Sequence, residues 1–308
     1  MSTDLVLNPP TLNELEIIHK DLGIDQDKIQ YNLDLLKKWL DSESYLPQNI
    51  DDSLLKNFLR GCKGNLEKTK QKLEKYFAVK TKIPNLFMQK AIIEDDFILY
   101  EMQKCVFIST NYTISGNRII IFRLPTQDVT YFDHAKIIKY VLLIIEFLLY
   151  NDLTSGYDFI YDANHVTGQT ISKLNLTGTK HMFNLFYNIL PIRTRSLFML
   201  NSNKFFEIAM ELARTVMPKK IKDRVKYGNL QDLKRTYPIN CLPIEYGGTD
   251  RCIDDLSKQY LQLFKNDPGW IERIGNVKMI GQLPEHKKKL YSFDDFNMDG
   301  SFRKLNID

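Results

Sequence analysis

The period of the hydrophobic pattern changes once along this chain, and the change limits what each part can become. From Thr11 to about Ala91, apolar side chains recur three and four positions apart, which is the repeat of a helix face. One stripe runs through Leu33, Leu36, Trp39 and Leu40. A second opens at Asp51 or Asp52, either of which can cap first-turn amides, and carries Leu54, Leu55, Phe58 and Leu59. A third starts from Asn65 and shows Leu66, Leu73, Tyr76 and Phe77. Beyond Phe97, short β-branched runs alternate with long helical stretches, the pattern of a sheet covered by helices. Strands are expected at 106–109, 118–124, 159–161 and 196–200, with helices at about 132–150, 170–190 and 203–217. The fold class is therefore α/β. A helical domain is expected over 11–91, a larger α/β domain over 92–250, and a C-terminal helix with a surface tail over 251–308.

Composition excludes several functions. With 44% apolar and 26% charged residues among 308, the chain can bury a large core. The net charge of +4 is too small to indicate a nucleic-acid binder, so any basic site must be local. Cys62, Cys105, Cys241 and Cys252 lie far apart, without a CxxC pair or a nearby histidine, which fits free thiols and no zinc. Residues 1–10 lack a basic region followed by an apolar stretch, so a cytoplasmic protein is expected, with the sequons at Asn111 and Asn175 unused. The apolar run from Tyr140 to Tyr150 is too short to span a bilayer and contains Glu146, as a core helix can. Neither GxGxxG, GxxxxGK[ST] nor GxSxG occurs, and the five histidines form no HExxH. No cofactor, metal or catalytic residue is expected. His165, near Asp162 in a loop after a strand, is the one candidate for acid or base work, and a lone residue does not specify chemistry.

Two features ask for a function. In 203–217, Phe206, Ala209, Met210, Ala213 and Met217 share one helix face, while Lys204, Glu207, Glu211 and Arg214 take the others. Such a stripe either seals a solid core or lids a cavity; methionine and alanine adapt to varied ligand shapes. From Arg193 to Arg235 there are eleven Lys or Arg against four Asp or Glu. A charge run of this kind is either a solvated face or an anion site.

The ordered set Phe58-Leu59-Arg60-Gly61-Cys62-Lys63, Leu190-Pro191-Ile192-Arg193-Thr194-Arg195, Pro218-Lys219-Lys220-Ile221-Lys222-Asp223-Arg224 and Leu242-Pro243-Ile244-Glu245-Tyr246-Gly247-Gly248 resembles the CRAL-TRIO lipid-binding family. The likeness is greatest to its α-tocopherol transfer and retinaldehyde-binding branch, and the closing Gly300-Ser301-Phe302-Arg303-Lys304-Leu305 is similar to that of many animal members.

The resemblance implies an N-terminal helical lobe beside an α/β lobe that encloses one hydrophobic ligand, such as a tocopherol, retinoid or similar terpenoid, under a gate helix. It implies cavity walls from Leu143 and Phe147, Tyr161 and Val166, Met182, Leu185, Phe186 and Leu190, and Leu197 and Met199, closed by Phe206, Ala209, Met210 and Ala213. Tyr161, His165 and Tyr187 are candidate polar anchors. It also implies a phosphoinositide site from Arg193, Arg195, Lys220 and Arg224, with Arg60 and Lys63 from the helical lobe, and transient membrane association. No enzymatic activity and no nucleic acid are implied. A phosphatidylinositol exchanger and a lipid-sensing scaffold remain open alternatives. Three positions depart from the branch: Cys62 where a second arginine is common, Asn203 where a proline is common, and His165 where glycine is common.

Overall fold

The structure, a computed structural model, describes residues 6–24, 26–87, 103–130 and 132–288. The expected boundary at 91 and the closing Gly300 to Leu305 motif lie outside the described residues. Four helices form the N-terminal lobe: α1 Leu12–Leu22, α2 Gln26–Ser42, α3 Asp52–Gly61 and α4 Leu66–Lys82. The caps are those the sequence offers. Asp51 accepts from the Ser53 amide and Asn65 from the Lys68 amide. Thr11 and Glu14 form a reciprocal capping box that starts α1, an element the periodicity alone did not separate. Leu33, Leu36, Leu54, Leu55, Phe58, Leu59, Leu73, Tyr76 and Phe77 are buried in a core that continues into the second lobe.

The second lobe is built on a mixed five-stranded sheet in the spatial order β1-β2-β3-β4-β5. Its strands are β1 Val106–Ile108, β2 Asn117–Arg123, β3 Gly156–Asp162, β4 Thr194–Leu200 and β5 Val225–Gly228. β1 runs antiparallel to β2, and the other neighbours are parallel. Each parallel connection carries helices, because the chain must return across a sheet face before pairing again. α5 (His134–Asn151) joins β2 to β3. α6 (Gly168–Ser172), α7 (Leu176–Asn184) and a π-helical turn at Leu185–Ile189 join β3 to β4, and α8 (Lys204–Val216) and α9 (Lys219–Lys222) join β4 to β5. α10 (Leu230–Thr236), α11 (Ile253–Asn266) and α12 (Pro268–Asn276) follow.

Two elements differ from expectation. The helix expected over 170–190 is broken at Lys173 and Leu174, because Asn175 caps a new start by accepting from the Gly178 amide. β5 falls inside the basic stretch. Its Lys226 and Tyr227 are exposed, so this edge strand is held by main-chain pairing with β4 and shows no apolar pattern to read.

Two contacts illustrate how the lobes are tied. Gly61 at the end of α3 approaches the Leu190-Pro191 turn so closely that a β-carbon there would lie 2.1 Å from the Pro191 carbonyl oxygen, which only glycine permits. Inside α5, Glu146 is fully buried and accepts from Lys80 Nζ at 2.7 Å and from the Tyr76 hydroxyl. Lys80 donates also to the Ile274 carbonyl at the end of α12. One buried ammonium thus joins α4, α5 and α12, and burial holds its pKa below the usual lysine value.

Removing one partner of a buried pair strands the other charge. Lys80→Met is expected to cost about 3–5 kcal/mol in urea denaturation, and the double variant Lys80→Met, Glu146→Leu to recover most of that loss.

Candidate functional site

One face of the sheet carries Phe122, Phe159, Tyr161, Leu197 and Met199, which the registers place side by side. Two cavities lie over this face, of about 160 and about 180 Å³. The inner one is lined by Ile138, Val141, Phe159, Met182, Phe183, Phe186 and Tyr187. The outer one is lined by Cys105, Phe132, Val166, Ile171, Leu174, Phe206 and Ala209, among others. Phe122, His134, Ile137 and Tyr161 belong to both and form the partition between them. Phe122 and Tyr161 stack at 5.0 Å, which fixes that partition.

Few polar groups enter these walls. His134 Nδ1 accepts from the Asn175 amide at 3.1 Å, which assigns the ring proton to Nε2, and burial lowers its pKa so that the ring stays neutral. Neither His134 Nε2 nor the Tyr161 hydroxyl has a hydrogen-bond partner among the described residues. Both can therefore orient a polar end of a ligand. The Tyr187 hydroxyl accepts from Thr194 Oγ1 at 3.4 Å.

Of the expected wall residues, Tyr161, Val166, Met182, Phe186, Phe206 and Ala209 line the cavities. Leu185, Leu190, Leu197, Met199 and Met210 are buried in the surrounding core without lining either cavity, and Ala213 is half-buried. Leu143 and Phe147 lie on another face of α5. The stripe at helical spacing toward the cavities is His134, Ile137, Ile138 and Val141, whereas Phe147 packs edge-on against Tyr260, Phe264 and Trp270. His165 also stands off the walls, because its Nδ1 donates to the Leu124 carbonyl at 2.8 Å. Phe122 and Phe159 were within reach of sequence reasoning, since alternation along the strands places them on the Tyr161 face. His134 gave no such sign.

α8 covers the outer cavity lightly. Met210 is its only buried residue, and Ile208 and Leu212 remain 48% and 45% exposed. Its N-terminus is held by Asn203, whose Oδ1 accepts from the Phe205 and Phe206 amides while Nδ2 donates to the Ala163 and Val166 carbonyls. The position that departs from the common proline therefore fastens the helix to the loop after β3.

The expected basic residues divide into two groups. Lys63, Arg193, Arg195, Lys220 and Arg224 form a rim: the Lys220 ammonium is disfavoured chiefly by Arg224, with Lys68, Arg193 and Lys63 adding to the repulsion. Burial raises the pKa of Tyr187, a wall residue of the inner cavity, while Thr194 and the nearby Arg224 act against that rise. Arg60 is not on this surface. It is 7% exposed, donates to Asn57 Oδ1 at 3.2 Å, and burial pulls its pKa down to about 10. It shares a small recess of about 30 Å³ with Arg193, Ser155 and Asp152, room for one water. Cys62 is buried near Thr69 and Lys72. The sequence reading missed Asp21, whose carboxylate meets Arg193 at 3.1 Å and Arg195 at 2.8 Å.

A larger recess of about 540 Å³ lies on another side, between the 47–53 loop and α12. Asp51, Asn151, Asp267, Arg273 and Asn276 share its walls with Phe147, Tyr150, Leu263, Trp270 and Ile274, so polar and apolar groups line it together, and Phe147, an expected wall residue, faces this recess.

Two family models match parts of this chain. A family model described as a CRAL/TRIO domain matches residues 102–248, and one described as a Pinta-like UBA domain matches residues 25–97. A curated mouse protein (Mus musculus), "Alpha-tocopherol transfer protein-like", is 23% identical over 224 residues, covering 69% of this chain. The match spans 63% of that protein's length. Among solved structures, the crystal structure of Sfh5 aligns with a TM-score of 0.48 at 12% identity, covering 79% of this chain and 99% of Sfh5.

The Asn203 fastening can be measured. Asn203→Ala is expected to cost about 1 kcal/mol and to speed amide exchange at 204–208 while leaving the sheet protected. Asn203→Asp, which keeps the cap oxygen but loses the two Nδ2 bonds, should have an intermediate effect on exchange.

Proposed function

We propose that this chain, whose residues 102–248 match a CRAL/TRIO domain model, is a lipid carrier of that kind, that it holds one terpenoid-like ligand, a tocopherol, a retinoid or a molecule of that class, and that it docks on phosphoinositide membranes to exchange it. The observation that carries this reading is the pair of apolar cavities divided by Phe122, His134, Ile137 and Tyr161 beneath a lightly seated helix. In this reading Tyr161, Val166, Met182, Phe186, Phe206 and Ala209 hold hydrocarbon, and His134 or Tyr161 meets a hydroxyl or carbonyl. Burying about 400 Å² of hydrocarbon at roughly 25 cal/mol per Å² is worth on the order of 10 kcal/mol before ordering costs.

Each cavity is smaller than the roughly 300–1,000 Å³ of common small-molecule sites. A ligand of this class must therefore displace the partition or lift α8. Exposed Ile208 and Leu212 can enter the lipid interface while Arg193, Arg195, Lys220 and Arg224 grip phosphate, and membrane anions that bind the lifted state better would shift the population toward it. No bond is made or broken in this cycle. The protein would work in the cytoplasm and touch membranes transiently.

The rival readings are a phosphatidylinositol exchanger, which must accommodate two acyl chains, and a lipid-sensing scaffold, which needs little interior. The small volumes of the two cavities favour a single-tailed ligand over a whole phospholipid.

Transfer of a fluorescent tocopherol or retinoid between vesicles tests the proposal. Phosphoinositide in the acceptor vesicle should accelerate transfer. The triple variant Arg193→Ala, Lys220→Ala, Arg224→Ala should lose on the order of a hundredfold in vesicle affinity, at about 1 kcal/mol per basic group. Equal transfer by the wild type and the triple variant would reject the rim mechanism.

A further inference from the structure

The basic rim already contains an anion. Asp21, in the last turn of α1, receives Arg195 Nη2 at 2.8 Å and Nη1 at 3.3 Å, so the guanidinium forks onto the carboxylate. The same carboxylate lies 3.1 Å from Arg193 Nη1, which also donates to the Ser155 carbonyl at 2.7 Å. Lys63 Nζ reaches the Asp21 main-chain carbonyl at 3.4 Å. Three of the five rim cations are thus bonded to one residue. Lys220 and Arg224 have no ion pair among the described residues.

The position of Asp21 is imposed by packing. α1 is capped at its start by Thr11 and Glu14 and ended by Gly23 in the left-handed region, at φ 68°. Ile18 and Leu22 pack with Ile24, Ile29 and Tyr112 in a small cluster of their own, apart from the main core. The last turn of α1 is thereby held against the rim with the carboxylate aimed at both guanidiniums.

A carboxylate pre-placed on two arginines competes with any incoming headgroup, and the apparent affinity of each headgroup falls by the fraction of rims it leaves open. A singly charged phosphate or carboxylate lipid offers the arginines little more than Asp21 already provides. A multiply phosphorylated ring offers more. Each phosphate monoester carries about −1.5 to −2 charges, enough to displace the carboxylate and engage Lys220 and Arg224 at once. We propose that Asp21 is a specificity-determining residue: a built-in counter-anion that makes the rim refuse singly charged lipids and admit a membrane headgroup bearing several phosphates. This rests on the docking reading above and adds to it a residue outside the matched family models, which begin at residue 25.

Co-sedimentation with phosphatidylcholine vesicles containing either phosphatidylserine or phosphatidylinositol bisphosphate, at matched surface charge, separates the two ideas. The wild type should bind the bisphosphate vesicles and scarcely bind the serine ones. Asp21→Asn should gain about tenfold on phosphatidylserine and much less on the bisphosphate, so that the ratio between them collapses. Free inositol trisphosphate should compete with the bisphosphate vesicles in both proteins, and an unchanged thermal midpoint for Asp21→Asn shows that the fold is intact. If the wild type binds bisphosphate vesicles and Asp21→Asn keeps the same selectivity ratio, the role of Asp21 is refuted while docking stands. If neither the wild type nor Asp21→Asn distinguishes bisphosphate vesicles from plain ones, docking itself is refuted, and this role of Asp21 with it.

Discussion

Phe122, Phe159 and Tyr161 present a row of aromatic rings on one sheet face, and the elements above them cover that face unevenly. α5 is buried along most of its length, because it lies between the sheet and the other helices and is anchored by the Lys80–Glu146 pair. α8 buries only Met210 and leaves Ile208 and Leu212 in solvent. Apolar burial scales with area, so the lightly buried helix is the cheaper one to lift from this face. The cavities lie between these two covers, one seated deeply and the other lightly.

Electrostatics divides the molecule in the same way. Buried pairs that cannot be exchanged with water, Lys80 with Glu146 and Arg118 with Asp152, hold the frame. Arg118 is fully buried, and its guanidinium also donates to the Ser109 and Thr110 carbonyls. At the rim the pairs are partly exposed and shared, with two arginines on one carboxylate and other cations crowded beside them. Such partly exposed pairs contribute little to stability. Arg60 shows the boundary between the two regimes: three residues before Lys63, it is enclosed with Asn57 and Ser155 and belongs to the frame.

Much of the frame was legible in the sequence, because it is written in periodicity and caps. Asp51, Asn65, Asn203 and the strands through Ile120, Ile160 and Phe198 announce themselves locally. Gly61 and Gly247 stand where the backbone needs them, one for close approach to Pro191 and one for a left-handed turn at φ 69°. The site was only half legible. Tyr161, Met182, Phe186 and Phe206 reach the cavities, but Leu143 and Phe147 do not, because the phase of α5 is set by its contacts with α11 and α12 rather than by its own nearly uniform apolar sequence. Asp21 was invisible for a related reason: it is 172 residues from Arg193, and no local pattern links an acid on one amphipathic helix to a distant arginine.

The enclosed ligand is the claim on which the rest depends, and native mass spectrometry of the protein purified from its own tissue tests it most directly. One small lipid should travel with each chain, be released on unfolding, and be absent from a Val141→Trp variant whose ring fills the inner cavity. A protein that flies bare under conditions gentle enough to keep it folded, and that takes up no tocopherol or retinoid when these are added, would contradict the account.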